Sequence, residues 1–206
     1  QTFGLEEDAD YNAYNIRIEN GVYIFNVKTP SENIENIKIY LPGKHNVLNA
    51  VAALAMANSF GISLQVIAKA LLSFKGIKRR FSYKIKTENL VLIDDYAHHP
   101  TEINAVINSV REMYPEKQVL GVFQPHLFSR TRDFADDFAQ SLSRFDELIL
   151  LDIYPARELP IEGVNSDWLL SKISCKNKQL SSKQNLVKNI LKSNAQVVVI
   201  IGAGDI

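Results

Sequence analysis

The sequence predicts an α/β protein of two units, the second a doubly wound domain on a parallel sheet. Three observations carry this. From about residue 79 onward, short apolar runs alternate with amphipathic stretches. The runs NLVLI, QVLGVF, ELILLDI and QVVVIIG are continuously apolar, as in strands covered on both faces of a parallel sheet. Before residue 79 the order differs, with strand patterns first and helical ones after.

Taken in order, Tyr14–Glu19 alternates like a strand, Asn20-Gly21 is a type I′ hairpin signal, and Val22–Val27 returns as the partner strand. Ile37–Leu41 reads as a third strand ending at Pro42-Gly43. NVLNAVAALAMANSF then reads as a helix from Asn46 to its C′ residue Gly61, and Ser63 is placed to cap a second helix, LQVIAKALLSF. Gly76–Asn89 is short and basic. Beyond it NLVLI precedes the helix PTEINAVINSVREMY, and QVLGVF precedes a helix over RTRDFADDFAQSLSRF. ELILLDI precedes a weaker helix near Asp167–Ile173, and a helical Leu186–Leu191 precedes QVVVIIG.

Hydrophobic residues make up 46% of the 206 and charged residues 22%, enough to bury a sizeable core. A net charge of zero leaves no basic footprint for nucleic acid. No apolar run approaches the ~20 residues needed to cross a bilayer, so no membrane insertion is expected. The lone Cys175 allows neither an internal disulfide framework nor a zinc ribbon, and reads as an incidental thiol in a polar segment. It suits a reducing compartment, and QTFGLEEDAD does not resemble a secretory leader.

In open parallel sheets, ligands bind beyond the carboxyl ends of the strands. There NLVLI runs into DDYAHHP, QVLGVF into QPHLFSRTR, ELILLDI into YPARE, and QVVVII into GAGD. The four loops should form one rim carrying Asp94, Asp95, His98, His99, His126, Arg130, Arg132, Arg157 and Asp205. Guanidinium forks match carboxylates and phosphates, so an anionic substrate is expected. Each feature has a plainer reading. Asp94 or Asp95 could cap a helix or pair with a nearby arginine. His98-His99 lacks the HxxxH or HxH spacing that would hold one ion. Arg130 and Arg132 could be a solvated helix start, and GAGD is a lone Gly-x-Gly. Asn46 can N-cap its helix, and Asn49 at i+3 shares its face, where two amides could read an adenine edge.

The motifs LPGKHNVLNAVAALA, GIKRRF, LIDDYAHHPTEI, VFQPHLFSRTRDF and IIGAGDI, in this order, resemble the Mur ligase family. The doubled histidine and FQPHxFSRTR are similar to its alanine-adding branch. The resemblance implies that residues 1–78 are the end of a central ATP-binding domain. It makes 79–206 a C-terminal Rossmann-like domain for the amino acid, its last helix cut short. It implies an ATP-dependent ligase of the bacterial cytoplasm that joins L-alanine to the carboxylate of UDP-N-acetylmuramate through an acyl phosphate, in peptidoglycan precursor synthesis. The family's Gly-Thr-x-Gly-Lys-Thr phosphate loop is not in this sequence. The main ligands for phosphate and Mg2+ are therefore expected upstream, and this chain alone is expected to be inactive. By the resemblance, Asn46, Asn49, Arg80 and Asp95 bind ATP, with Asp95 at the ribose. His98, His99, His126 and Arg130 surround the alanine and the reacting carboxylate. No catalytic residue and no metal ligand is assigned within the chain. Leu127 departs from relatives that carry arginine there. Without the resemblance, the rim also admits a metal-dependent hydrolase using His98, His99, His126 and Asp95, or a non-enzymatic nucleotide-binding module.

Overall fold

A computed structural model describes residues 1–206, which divide into two units, Gln1–Gly76 and Ile77–Ile206. In the first, strands β1 (Phe3–Gly4), β2 (Tyr11–Glu19), β3 (Val22–Lys28) and β4 (Asn33–Ile39) form a sheet in that order. β2, β3 and β4 pair antiparallel, and β1 joins β2 in parallel. Asn20 (φ 51°) and Gly21 (φ 77°) both adopt the left-handed backbone that a type I′ turn requires. Helices α1 (Lys44–Ser59) and α2 (Leu64–Ser73) pack on the sheet, burying Val47, Val51, Leu54 and Leu64 with Phe25, Val27 and Ile37.

Some boundaries differ from the sequence reading. The third strand starts four residues earlier than Ile37, and the chain has turned before Pro42. Helix α1 begins at Lys44 after Gly43, so Asn46 is not its cap. From inside the first turn, the Asn46 amide donates back to the Pro42 carbonyl at 2.6 Å. At the other end Gly61 N–H bonds to Asn58 O and Ile62 N–H to Ala57 O, the paired bonds of a Schellman stop. Ser63 stands at the cap position of α2, but its side chain makes no capping bond.

The second unit runs β5 (Ser82–Lys86), β6 (Val91–Asp95), α3 (Pro100–Met113), β7 (Val119–Phe123), α4 (Phe128–Asp133), α5 (Ala135–Leu142), β8 (Glu147–Leu150), α6 (Ser166–Lys172), β9 (Asn177–Leu180), α7 (Lys183–Ile190) and β10 (Val197–Ile201). Its six-stranded sheet has the order β5-β6-β10-β7-β8-β9, all parallel except β5. Alternate residues of the central strands point to opposite faces. Val91, Ile93, Val119, Phe123, Val197 and Val199 join the core beneath α3, α5 and α6. Leu120, Val122, Ile149 and Val198 face the other side, with Leu186 and Ile190 of α7. Gly121 is required sterically, because a Cβ there would stand 2.6–2.8 Å from the Phe145 ring.

The edge strands β5 and β9 went unread in the sequence. SYKIK and NKQL are polar because an edge strand is covered on few sides, and lysines there discourage further pairing. The helix expected over RTRDFADDFAQSLSRF is two helices, broken at Phe134 (φ −113°), whose ring packs against the core. Cys175 is not an incidental polar-segment thiol. It is 5% exposed, sits in the core cluster and points its Sγ at the Phe145 carbonyl, and burial raises its pKa. No helix is long and apolar enough to cross a membrane.

Candidate functional site

Because β10 inserts between β6 and β7, its GAGD loop lies between DDYAHHP and QPHLFSR at the carboxyl edge of the sheet. Backbone bonds join the three: Gly202 N–H donates to Asp95 O (3.1 Å) and Gln124 N–H to Ile201 O (3.0 Å). Arg79 adds a tie, donating to the carbonyls of Gly202 and Gly204 while pairing with Asp94 at 3.6 Å. Lys84 also pairs with Asp94, at 3.2 Å, so Asp94 is the ion-paired strand-end acid of the plainer reading.

Asp95 points inward. It is 5% exposed, and its two oxygens accept from Phe81 N–H (2.7 Å) and Ala97 N–H (2.8 Å). Burial raises its pKa, against the lowering effect of these two bonds and of Arg80. Its first task is therefore to hold the backbone at Phe81 and the DDYAHHP turn together. Arg80 is exposed, 3.9 Å from Glu102, and its guanidinium lies 5.8 Å from the Tyr96 ring. Arg79 lies over the same ring at 5.0 Å.

The doubled histidines diverge. His99 is the N-cap of α3: its Nδ1 accepts from Thr101 N–H at 3.3 Å, and its ring meets Phe134 edge-on at 4.7 Å. With that nitrogen committed to the cap, His99 anchors the start of α3 through Nδ1. Pro100 at N1 and Glu102 complete a capping box, with the Glu102 carboxylate accepting from both His98 N–H (2.9 Å) and His99 N–H (3.3 Å). His98 turns the other way, its ring 6.0 Å from that of His126.

His126 and Arg130 form the centre of the rim. The Arg130 guanidinium lies 3.3 Å from His126 Nδ1. A guanidinium can only donate, so Nδ1 is the acceptor and the ring proton resides on Nε2. Partial burial lowers the His126 pKa, and the neighbouring Arg130 guanidinium lowers it further, against Glu158. The imidazole is thus neutral near pH 7. Tyr154 stacks on its other face, with ring centroids 5.5 Å apart and planes 22° apart. The pair Arg130 and neutral His126 offers a fork and an N–H donor to a carboxylate, without an acid that would protonate a nearby amine. Arg130 and Arg132 lie in the last turn of the short α4, where the helix dipole favours a cation, and not at the opening of a long helix. Arg132 pairs with Asp133 and Asp205 with Lys183, while Arg157 is exposed.

Asn46 and Asn49 lie in the other unit, one turn apart on α1, half-buried and exposed respectively. Sequence reasoning missed Arg79, Tyr96, Glu102, Tyr154 and Glu158. Tyr96 and Glu102 were legible as neighbours of DDYAHHP, and the last two only as part of YPARE. No three His, Cys, Asp or Glu side chains gather in a set that could hold a metal ion.

Residues 79–204 match the profile of the Mur ligase glutamate ligase domain, and residues 1–57 that of the Mur ligase middle domain. The chain is 65% identical over 205 residues to the UDP-N-acetylmuramate–L-alanine ligase of Flavobacterium psychrophilum, covering all of this chain and 46% of that protein. The corresponding ligase of Christiangramia forsetii is 66% identical, with 98% of this chain and 45% of that protein covered. The chain thus spans a little under half the length of these relatives. Among solved structures, the UDP-N-acetylmuramate–alanine ligase of Thermotoga maritima superposes with a TM-score of 0.82 at 26% identity, over 99% of this chain and 44% of that one. A folylpolyglutamate synthase of Mycobacterium tuberculosis, complexed with ADP and AMPPCP, shares the fold alone, with a TM-score of 0.73 at 15% identity over 96% of this chain and 46% of that one. A sheet whose DDYAHHP and FQPHLFSRTR loops converge on one rim, matched along its length by these profiles and relatives, leads to one conclusion: the chain belongs to the Mur ligase family.

Proposed function

We propose that this chain is part of an ATP-dependent ligase of the bacterial cytoplasm that joins L-alanine to the carboxylate of UDP-N-acetylmuramate in peptidoglycan precursor synthesis. In this reading residues 1–78 end the ATP-binding domain and 79–206 form most of the amino-acid domain. The observation that carries it is the Arg130–His126 pair, a carboxylate-binding fork beside a neutral imidazole, in a chain 65% identical to a ligase of that name.

The substrate carboxylate attacks the γ-phosphorus of ATP, releasing ADP and forming an acyl phosphate. The alanine amine then adds to the acyl carbon, and the tetrahedral intermediate expels phosphate as the amine proton is lost. Such chemistry depends on positioning and charge neutralisation more than on a protein nucleophile. Arg130 holds the α-carboxylate of alanine, His126 donates its Nε2 proton to the same group, and His98 borders the amine. His99 fixes the loop. Arg80, Asn46 and Asn49 serve the nucleotide, and a free lone pair of Asp95 accepts from its ribose. In this reading the main ligands for Mg2+ and the phosphates lie outside residues 1–206, and the chain alone is inactive.

Arg130→Ala in the complete enzyme tests this. The KM for alanine should rise by about a hundredfold while that for ATP changes little, as expected for loss of a charged hydrogen-bonding partner. An unchanged KM for alanine would remove Arg130 from the substrate site.

A further inference from the structure

Helix α4, which carries Arg130, begins badly by its own sequence. Its cap residue is Leu127, whose side chain cannot accept a hydrogen bond and whose backbone has φ 73° and ψ 133°. This conformation is unfavourable for a leucine and persists only where neighbouring contacts hold it. Those contacts come from the loop after β8. Leu127 N–H donates to Tyr154 O at 2.9 Å, and Tyr154 N–H donates to Pro125 O at 2.8 Å. Beyond them the Glu158 carboxylate takes up Ser129 with both oxygens. Oε2 accepts from Ser129 N–H at 3.0 Å, and Oε1 accepts from the Ser129 hydroxyl.

We propose that Glu158 is a positioning residue of the amino-acid site: it caps α4 from a distant loop and so sets where Arg130 stands beside His126. The cap that Leu127 cannot supply arrives from 29 residues away in sequence. An anionic group at the first turn also suits the helix dipole. Both oxygens are engaged by Ser129, and these bonds hold the carboxyl below the usual carboxylate range, so it stays ionised. Both oxygens serve the turn that leads into Arg130, which makes the role one of positioning. Arg130 follows Ser129 directly, so a shift of the turn moves the guanidinium relative to the His126 ring.

The inference rests on the ligase reading for its kinetic consequence and on geometry alone for the cap, and the test separates the two. In the full-length enzyme, Glu158→Ala should raise the KM for alanine about tenfold and leave the KM for ATP within about twofold, since misplacing a binding group by a fraction of an ångström has effects of this order. Glu158→Gln keeps an acceptor for the Ser129 amide and a partner for its hydroxyl, and should recover to within about threefold of wild type. Glu158→Asp keeps the charge but is one methylene short, and should resemble the alanine variant; it also serves if the alanine variant does not fold. Equal loss in the Gln and Ala variants, or a wild-type KM for alanine in the Asp variant, overturns the proposal. Hydrogen exchange of residues 127–131 in the same proteins should accelerate in the Ala and Asp variants, and unchanged exchange overturns the cap itself. A wild-type enzyme without alanine-dependent turnover removes the ligase reading, and the exchange measurement then decides the cap.

Discussion

The loop after β6 and the segment after β7 stand side by side on one rim, yet they are held by contacts of different range. In DDYAHHP many of the restraints are local, although Asp95 also accepts from Phe81 N–H and Tyr96 N–H donates to Arg79 O. Asp95 reaches Ala97 two residues on, Glu102 accepts from His98 and His99 within four, and His99 caps the helix that Pro100 opens. In QPHLFSR the restraints come from elsewhere in the chain: Tyr154 holds the backbone and the His126 ring, and Glu158 holds Ser129. A loop of the first kind takes much of its shape from its own strand and helix. One of the second kind acquires its shape only when the strand β8 and the loop beyond it have docked.

The largest test of this contrast is Asp95→Asn. The variant turns an N–H donor toward one of two backbone N–H groups, and a buried donor left unsatisfied costs about 1–3 kcal/mol. Urea unfolding should show a loss of that size, and an unchanged midpoint would mean that the carboxylate is not the pin described above. Its pH dependence has a definite sign. Burial raises the Asp95 pKa, so the associated stability is complete below the ordinary value of 3.8 and is lost as pH rises through the raised value. The deficit of the Asn variant should therefore widen on acidification.

A smaller effect is expected from Glu102→Ala, which removes the capping-box acceptor from α3 and costs about 1 kcal/mol by thermal or urea unfolding. Its influence should stay with the DDYAHHP loop, leaving exchange in residues 127–131 as in wild type. Faster exchange there would break the distinction between local and distant restraint.

The smallest effect is electrostatic. Arg130→Ala removes a cation from beside His126, so the imidazole pKa should move upward, as read by NMR titration of the ring, with His98, Glu158 and Tyr154 still facing it. The depressed pKa contributes stability that is present above the ordinary value of 6.5 and lost as pH falls through the lowered one. In the variant that loss should be smaller and complete at a higher pH, because the folded-state pKa moves back toward the ordinary value. No movement of the titration would show that Arg130 does not sense the ring.

Legibility in the sequence follows the same division. The four buried strands, the Asn20-Gly21 turn, the Gly61 stop and the convergence of DDYAHHP with FQPHLFSRTR could be read because each signal lies within a few adjacent residues. The strands β5 and β9 could not, since polar edge strands are defined by the neighbour they pair with. The buried Cys175 was misread for a related reason: its flanking residues are polar, and burial is decided by what packs over a residue. The start of α1 lies earlier than Asn46: Gly43 holds the cap position without a side-chain cap, and the Asn46 amide donates back to the Pro42 carbonyl.

The sequence by itself determined the α/β class, the apolar strands and helix faces, and which loops carry imidazoles, guanidiniums and carboxylates, because hydrophobic period and turn chemistry act over a few residues. The tertiary structure decided that β10 lies between β6 and β7, that Asp95 and His99 turn to internal duties while His98 turns toward His126, and that Glu158 replaces the cap Leu127 cannot supply. The Asp95 and Glu158 bonds join partners 14 and 29 residues apart, and no local pattern records which donor will find which acceptor once the strands have docked.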